Sequence, residues 1–378
     1  MRDIVIRFIG WYYLFLVNRR TRKKHKKIFA NIKSKNLIQK VNNENLIRHI
    51  TKWSKLDKRI STLSYQIFSS LANNADENFI PENVFYTKVE PVLNNKIFAM
   101  AYRDKNSYDF ILNSDTFPKV YLRNIDGLYF DNVYRQIDNV EKNFQSLLAK
   151  GILIVKPSFN TGGGMNIKLL KANADHFVDQ NNIITDFKSL QKEYTRNFLI
   201  QEHIQQHKFT AQFNESSLNT FRLLTYRSVE NNKVHLIQSV LRIGQKGTIT
   251  DNQAGGGIAV GIDPQKKTIS FGVDKWGNKF DSFNNIDFKN VGVIPKFDQM
   301  EKLVVELSSK LIYSRLIGWD VCIDENENIR IIELNNIYNE INFFQMTNGP
   351  LFSKFTDEVI AHCKISPGTY SANYYLKN

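Results

Sequence analysis

The spacing of apolar positions changes along the chain and predicts two kinds of structure. Residues 1–75 carry apolar side chains at helical spacing, and no proline interrupts them, so this pattern predicts helices. Turn-forming residues at 73–76 and 81–83 mark the end of this region. Beyond them, short apolar runs alternate with helical segments, which predicts a mixed α/β protein.

The part after residue 76 contains the clearest individual elements. Helices are predicted over 107–112, 133–148 and 299–316. Strands are predicted over 120–123, 152–155, 167–170, 198–202, 221–226 and 234–241, and two more flank the polar turn 325–328. Strands 221–226 and 234–241 alternate as half-buried strands do. We therefore predict a basic helical region (1–75), a first lobe (76–205) and a second lobe (206–378), and 378 residues are enough for this organisation.

The first 40 residues join an apolar stretch to a basic run. Residues 8–17 are apolar and aromatic, and the basic residues that follow are Arg19, Arg20, Arg22, Lys23, Lys24, Lys26 and Lys27. The stretch is too short to span a bilayer, which takes about 20 residues, and no small-residue cleavage site follows it. Two interpretations stay open: an anchor at the surface of an anionic membrane, or a helix packed on the protein with a solvated basic face.

Charge and cysteine content narrow the class of protein. The net charge of +14 favours a polyanionic partner, and ATP, nucleic acid and an anionic membrane all qualify. Nucleic acid is not expected, because no recognition motif accompanies the charge. Cys322 and Cys363 are the only cysteines, which excludes a disulfide framework and a cysteine-rich zinc site.

A glycine-rich loop joins two of the predicted strands. The first strand ends at Lys156 and Pro157, and the loop that follows contains Gly162, Gly163 and Gly164. Consecutive glycines let backbone N–H groups converge on phosphate oxygens, and Lys156 would add positive charge there. The alternative is a flexible hairpin tip without a ligand. It is not a P-loop, because no Gly-Lys-Ser/Thr opens a helix.

A pair of acids lies inside the last predicted hairpin. A turn centred between Asn326 and Glu327 predicts the pairs Asp324–Ile329, Cys322–Ile331 and Asp320–Glu333. Strand alternation then places Asp320, Glu333 and Asn335 on one face. Two carboxylates this close repel each other unless a cation lies between them, and three oxygen ligands suit Mg²⁺. The alternative is a hairpin whose acids face solvent.

The order of these segments resembles the ATP-grasp superfamily. A Lys-Pro strand with a glycine-rich hairpin is followed by a strand that ends in Gln201-Glu202. The segments 219–222, 251–252, 255–258 and 317–320 read Asn-Thr-Phe-Arg, Asp-Asn, Gly-Gly-Gly-Ile and Ile-Gly-Trp-Asp. They are similar to the sugar-transfer-associated branch of that superfamily, over about residues 95–345. The resemblance implies an α/β fold of two lobes that clasp ATP.

The resemblance also implies roles for individual residues. The phosphates would be bound by Lys105, Lys156 and the loop Gly162, Gly163 and Gly164. Adenine would be bound by Gln201, Glu202 and Ile204, and Mg²⁺ by Asp320, Glu333 and Asn335. Arg222 would stabilise the transferring phosphoryl group and, with Lys156, is the catalytic candidate. The family's ribose carboxylate has no counterpart near His207.

The function implied is that of an ATP- and Mg²⁺-dependent ligase. A substrate carboxylate would be activated as an acyl phosphate and joined to an amine or another nucleophile, in cell-surface polysaccharide synthesis. A small-molecule or sugar kinase is the second hypothesis. A non-catalytic protein that binds membrane or nucleic acid is the third. We expect a cytoplasmic protein, and the anchor interpretation adds peripheral attachment at the inner face of the membrane.

Overall fold

Two antiparallel sheets organise the chain. In the computed structural model, which describes residues 2–159 and 164–365, each of them contains seven strands. The first has the order β2-β1-β7-β3-β4-β5-β6 and the second β12-β11-β10-β9-β8-β15-β16. The strands are β1 (Val120–Ile125), β2 (Leu128–Phe130), β3 (Ile152–Pro157), β4 (Lys168–Asn173), β5 (His176–Asp179), β6 (Ile184–Thr185), β7 (Phe198–Glu202), β8 (Thr220–Arg227), β9 (Val234–Ile243), β10 (Ile258–Asp263), β11 (Thr268–Val273), β12 (Lys279–Phe280), β13 (Ser282–Phe283), β14 (Ile286–Asp287), β15 (Leu316–Ile323) and β16 (Ile329–Asn335).

Helices precede, connect and cover the sheets. They are α1 (Arg2–Ser34), α2 (Asn43–Trp53), α3 (Thr62–Leu71), α4 (Glu82–Val84), α5 (Glu90–Leu93), α6 (Lys96–Met100), α7 (Tyr108–Leu112), α8 (Val140–Ser146), α9 (Phe187–Tyr194), α10 (Lys208–Ala211), α11 (Phe297–Lys310), α12 (Asn342–Thr347) and α13 (Thr356–Ile365). A π-helical turn (Phe85–Val89) joins α4 to α5. Short 3₁₀ turns are Lys105–Ser107, Leu147–Lys150, Gln253–Gly255, Phe288–Asn290 and Ser353–Phe355. The helical region predicted before residue 75 is present as α1 to α3.

The second sheet is covered on both faces. Helix α11 packs Met300 and Val304 against one face. The N-terminal helices pack against the other, where Phe68 of α3 shares a core with Tyr226 of β8. Every residue of β8 is therefore buried, and the half-buried alternation predicted for 221–226 is wrong. Strand alternation reports burial only where one face of a sheet meets solvent.

The first sheet has one apolar face and one face that borders a cleft. Leu153 and Val155 of β3 point into its core. The alternate residues Ile154 and Lys156 line the cleft. The period of two along a strand thus places the lysine opposite the second sheet. Helices α8 and α9 cover the side away from the cleft, where they contribute Phe144 and Leu190 to this core.

Two predicted helices have different boundaries in the structure. Residues 133–139 are not helical, because the Asp131 carboxylate accepts hydrogen bonds from the backbone N–H groups of Val133 and Arg135, both at 2.9 Å. This turn delays α8 until residue 140. The helix predicted to reach 316 ends at 310. There the Asn94 side chain accepts from the N–H groups of Arg315 and Leu316 at 2.8 and 2.9 Å, which fixes an extended chain.

The predicted boundaries after residues 75 and 205 stay predictions. The packing nevertheless shows where one segment of the predicted first lobe lies. Val84, Phe85, Val89 and Leu93 are buried in the core that covers the second sheet. Residues 82–93 therefore belong by contact to the side of the N-terminal helices.

Candidate functional site

A cleft of about 810 Å³ lies between the two sheets. The predicted site residues that the structure describes all line it. They are Lys105, Lys156, Gly164, Gln201, Glu202, Ile204, Arg222, Asp320, Glu333 and Asn335. Gly162 and Gly163 lie outside the described residues. Gly164 lies against the side chain of Thr250, and both residues line the cleft.

The hairpin of β15 and β16 brings the acids together. Asp320 pairs with Glu333, as predicted from the sequence. The other two predicted pairs are wrong by one residue, because Ile329 pairs with Ile323 and Ile331 with Val321. The register shifts next to Asp320, where one additional residue of β16 is accommodated as a bulge. Bulges of this kind redirect side chains, and here the shift lies at the acid pair.

Four charged side chains form what we call the arginine–aspartate cluster: Arg222, Arg242, Asp251 and Asp320. Arg222 of β8 pairs across the sheet with Asp320 of β15. Its guanidinium binds both oxygens of that carboxylate, and the Nη2–Oδ2 distance is 2.8 Å. Arg242 of β9 donates to Asp320 Oδ2 at 3.2 Å and bridges to Asp251 Oδ1 at 3.0 Å. Each acid therefore faces at least one arginine.

The electrostatics of this cluster differ from the prediction. Burial alone would raise the pKa of Asp320, but the neighbouring Arg222 and Arg242 lower it below its ordinary value. Burial raises the pKa of Asp251, and Arg242 opposes this effect. The sequence suggested that a metal ion must separate Asp320 from Glu333. In this structure, two guanidinium groups neutralise Asp320 from the opposite side.

Two glycines of the motif segments are explained by close contacts at this cluster. A Cβ at Gly318 would lie 2.8 Å from Asn339 Oδ1 and 3.3 Å from Arg222 Cδ. A Cβ at Gly257 would lie 2.6 to 2.9 Å from three backbone carbonyl oxygens, including that of Asp251. Side chains at either position would push the backbone away from Arg222 or from the Asp251 loop. Because these glycines have no side chain, the backbone can lie close to Arg222 and to the Asp251 loop.

A second group of charges, which we call the lysine pair, consists of Lys105 and Lys156. The backbone N–H of Lys105 donates to Ser158 O at 2.9 Å, which holds its turn beside the end of β3. The Lys105 ammonium lies 3.1 Å from Glu333 Oε1. Lys156 forms no salt bridge with any described residue. Burial, and then the charge of Lys105, lower the pKa of Lys156 to about 7, and Glu333 only partly opposes this.

The predicted adenine residues lie at the end of β7. Gln201 and Ile204 are buried, and apolar side chains of both sheets border the same part of the cleft, Ile154 from β3 and Ile332 from β16. The Glu202 carboxylate is already bound: it accepts from the Lys119 backbone N–H at 2.7 Å and from the Arg330 guanidinium. These contacts tie the end of β7, which we call the hinge, to β16. The apolar walls fit a flat ring between the sheets.

The residues fit the ligands that the sequence implies. Lys156 is a buried ammonium next to a second ammonium, and a polyphosphate would supply the missing negative charge. Asp320, Glu333 and Asn335 offer hard oxygen ligands, and carboxylate oxygens keep lone pairs beyond the contacts made here. Among the described residues no group of three or more His, Cys, Asp or Glu side chains could hold a metal ion. Phosphate oxygens and water would therefore have to complete a Mg²⁺ shell.

Sequence reasoning missed several residues of the site. Arg242 and Arg330 were not singled out, although each is a charged residue within or next to an apolar strand, which is a signal for a buried partner. Asp251 was noted only as part of a motif. Glu215 also lines the cleft, although a ribose carboxylate was expected only near His207. His207 instead caps α10, since its Nδ1 accepts from Phe209 N at 3.1 Å.

Comparison with solved structures gives distant similarities. The chain is 14% identical to the biotin carboxylase domain of Hydrogenobacter thermophilus 2-oxoglutarate carboxylase, solved with MgADP, ADP and bicarbonate; the match covers 70% of this chain and 46% of that one, with a TM-score of 0.41. It is 14% identical to the ATP-grasp ligase PsnB with its minimal precursor (71% and 64% covered, TM-score 0.39). It is 10% identical to a biotin carboxylase of Campylobacter jejuni (72% and 48% covered, TM-score 0.38). It thus spans less than two thirds of each.

Comparison of the sequence with protein families gives the stronger result. No protein with a curated description matches. Residues 85–359, most of the chain, match the family described as sugar-transfer associated ATP-grasp. This match confirms the resemblance and the fold class predicted from the motifs. The chain belongs to the sugar-transfer associated ATP-grasp family.

Proposed function

We propose that this protein uses Mg²⁺-ATP to activate a substrate carboxylate and join it to a nucleophile. The observation that carries the proposal is the lysine pair. A buried ammonium with a lowered pKa beside a second ammonium is unfavourable in the free protein. A bound polyphosphate removes this imbalance. Functional sites commonly contain such perturbed groups.

Each part of the cleft has a distinct role in this proposal. Lys105 and Lys156 bind the phosphates, and the apolar walls near Ile204 hold adenine. Asp320, Glu333 and Asn335 hold Mg²⁺, which when bound neutralises phosphate charge and orients the oxygens. Arg222 keeps Asp320 in place and presents its remaining N–H groups to the transferring phosphoryl group.

The chemistry then needs positioning more than acid or base catalysis. A carboxylate oxygen of the substrate attacks the γ-phosphorus, the bond between phosphorus and the bridging oxygen breaks, and ADP leaves. The nucleophile next attacks the carbonyl carbon of the acyl phosphate, and inorganic phosphate leaves with the proton of the amine. Two lysines and an arginine at the phosphates stabilise the charge that moves in the first step.

Glu215 is our candidate for the ribose. It follows β7 in the chain, it lines the cleft, and its side chain is exposed. A carboxylate that accepts hydrogen bonds from the two ribose hydroxyls suits this position. Loss of affinity for ATP, but not for inorganic triphosphate, in Glu215→Ala would support the assignment.

The pathway is proposed from the family description alone. Cell-surface polysaccharide synthesis is consistent with an association with sugar transfer.

Product analysis tests the ligase proposal. The full chain is incubated with Mg²⁺-ATP, a panel of carboxylic acids and hydroxylamine, which traps acyl phosphates as hydroxamates. We expect ADP release that depends on the acid and an equal amount of hydroxamate. A phosphorylated alcohol with no hydroxamate would contradict the proposal and favour the kinase. Lys156→Met serves as the inactive control.

A further inference from the structure

Two neighbouring rows of side chains run along the side of α1 that faces away from the protein, which we call the outer face. One row of side chains at helical spacing contains Ile4, Phe8, Trp11, Phe15, Arg22, Lys26 and Lys33. The adjacent row contains Val5, Ile9, Tyr12, Leu16, Arg19, Lys23 and Lys27. With 3.6 residues per turn, both rows lie on the same side of the helix. This side is apolar in its first half and cationic in its second.

The apolar half of this outer face is exposed. Ile4, Phe8 and Trp11 have 73%, 61% and 57% of their surface accessible, and the other apolar members of the two rows are exposed as well. The aromatic rings contact one another, with 5.8 Å between the ring centroids of Trp11 and Phe15. Contiguous exposed patches of this kind mark interaction sites more often than scattered apolar residues do.

The cationic half carries charges without acidic partners. Arg19, Arg22, Lys23 and Lys26 are exposed and form no salt bridge with any residue in the described part of the chain. Lys24, by contrast, lies on the inner side and pairs with Glu82 at 3.0 Å. The inner and outer sides therefore differ in whether their charges are neutralised.

Contacts on the inner face fix the orientation of the helix. His25, Ile28 and Ile32 are buried against the protein. His25 Nε2 lies 2.9 Å from Glu82 Oε2, and Asn31 Nδ2 donates to Trp276 O at 3.0 Å. Because these contacts occupy the inner side, α1 cannot turn its apolar rows toward the core without their loss. The outer face stays available to a partner.

We propose that the outer face of α1 binds the surface of an anionic lipid bilayer. No helix among residues 2–159 and 164–365 is long and apolar enough to cross a membrane, so the helix would lie at the interface. Its aromatic side chains enter the headgroup layer while the cations of the second half bind anionic headgroups. Both halves of the face thereby meet complementary chemistry in one partner.

Other partners fit only one half of the face. An antiparallel second copy would leave the cations without anionic partners, and a parallel copy would place cations against cations. A nucleic acid would neutralise the cations but leave the apolar rows in water. A bilayer offers an apolar layer beside an anionic one, which is the order found along α1.

The proposed contact also lies close to the cleft. Lys24 is about 12 Å further along the helix axis than Leu16, and its ammonium lies 3.8 Å from Glu340, which lines the cleft. A helix bound through its outer face would hold this edge of the cleft near the lipid surface.

Vesicle binding of the full chain tests the proposal. Co-sedimentation is measured with vesicles of equal parts phosphatidylglycerol and phosphatidylcholine, and with phosphatidylcholine alone. We expect binding to the anionic vesicles, with partitioning about tenfold weaker or more in Lys23→Gln/Lys26→Gln and in Phe8→Ser/Trp11→Ser. In a Trp276→Phe background, the emission of the exposed Trp11 should shift to the blue on binding.

Matched variants separate α1 from general surface effects. Lys188→Gln/Lys266→Gln removes two exposed cations elsewhere, and Phe110→Ser/Val293→Ser removes two exposed apolar side chains. Neither should change partitioning. No binding to anionic vesicles, or binding that the α1 variants leave intact, would overturn the proposal. A dimer or a complex with RNA would also overturn it, if the protein does not bind vesicles and the α1 variants dissociate that dimer or complex.

Discussion

The two charge groups of the cleft differ in whether their charges are balanced by other residues of the protein. In the arginine–aspartate cluster, buried acids and bases alternate, and Asp320 contacts both arginines. In the lysine pair, two ammonium groups share Glu333, and Lys156 has no salt bridge with a described residue. The first group is neutralised within the protein. The second is not.

This difference separates site residues that also stabilise the fold from site residues whose charge is balanced only by a ligand. A neutralised buried network holds its members in one geometry and is strongly disturbed when one member is removed. An ammonium held without a counterion destabilises the free protein, and it binds an anionic ligand more tightly for the same reason. Stability should therefore depend on Asp320, and ATP affinity on Lys156.

The largest effect is expected for Asp320→Asn. The substitution leaves two buried guanidinium groups without their shared carboxylate, so the free energy of unfolding should fall by about 3–5 kcal/mol. Urea denaturation measures this. The exposed pair of Asp298 with Lys267 provides the control, and Asp298→Asn should change stability little. Equal stability losses in the two variants would show that the cluster is not a supporting network.

Lys156→Met should lower ATP turnover and raise the stability of the folded protein. ATP turnover should fall about a hundredfold or more, because a charge at the phosphates is lost. The free energy of unfolding should rise by about 1 kcal/mol, because an unpaired buried ammonium is replaced by an apolar chain of similar length. Lys168→Met is the control on the same sheet: Lys168 pairs with Glu193 at 2.6 Å, so its loss should not stabilise. A destabilised Lys156→Met protein would contradict the comparison.

The pH dependence of ATP binding should report on Lys156. In the free protein its pKa is lowered to about 7, so above pH 7 most molecules carry a neutral amine there. Bound phosphates favour the ammonium and raise this pKa, so binding takes up a proton and affinity falls by up to about tenfold per pH unit above 7. Calorimetry at pH 8.5 in buffers of different ionisation enthalpy measures the uptake. Lys156→Met should show none.

The same lowered pKa predicts how stability depends on pH. Between about pH 7 and the ordinary lysine pKa, the unfolded chain holds a proton at Lys156 that the folded chain has released. This group therefore makes the folded protein more stable as pH rises through that window. The stability of the wild type relative to Lys156→Met in urea should therefore rise from pH 6 to pH 9. A constant difference would indicate that Lys156 stays charged in the cleft.

The smallest effect is expected for Glu202→Gln. Its carboxylate is bound to Arg330 and to a backbone N–H of the first lobe, and Arg330 keeps Asp324 as a second partner at 3.4 Å. Loss of this partly exposed pair should cost about 0.5–1 kcal/mol of stability. Affinity for ATP should change less than about threefold, because the carboxylate supports the hinge. A loss of tenfold or more would assign the side chain itself to adenine.

The sequence identified both residues of the lysine pair but only part of the arginine–aspartate cluster. Lys156, Asp320 and Glu333 were identified because each lies in a motif at the end of, or inside, an apolar strand, whereas Lys105 was identified only through the family resemblance. Arg242 was missed because its partners are set by strand order: β9 and β15 both flank β8 and are far apart in sequence. Such pairings depend on tertiary structure that no local pattern records.

Element boundaries show the same limit. The hairpin register at Asp320 and Glu333 was predicted correctly, yet the neighbouring pairs were wrong because a bulge changes the register within the strands. The helix expected from 133 was shortened by the Asp131 turn, and the one expected to reach 316 was ended by contacts with Asn94. Local apolar spacing predicts that an element exists, whereas single polar side chains decide where it ends.

Calorimetry of ATP binding, with and without Mg²⁺, tests the central claim most directly. The wild-type chain is compared with Glu333→Gln, which replaces a carboxylate ligand with a neutral amide and removes the negative charge beside Lys105. We predict that Mg²⁺ enhances ATP binding by the wild type. In the variant this enhancement should be smaller by about tenfold or more, and metal-free ATP should bind at least as tightly as it binds to the wild type. A folded wild-type protein that does not bind ATP, or a variant that keeps the full Mg²⁺ enhancement, would contradict the account.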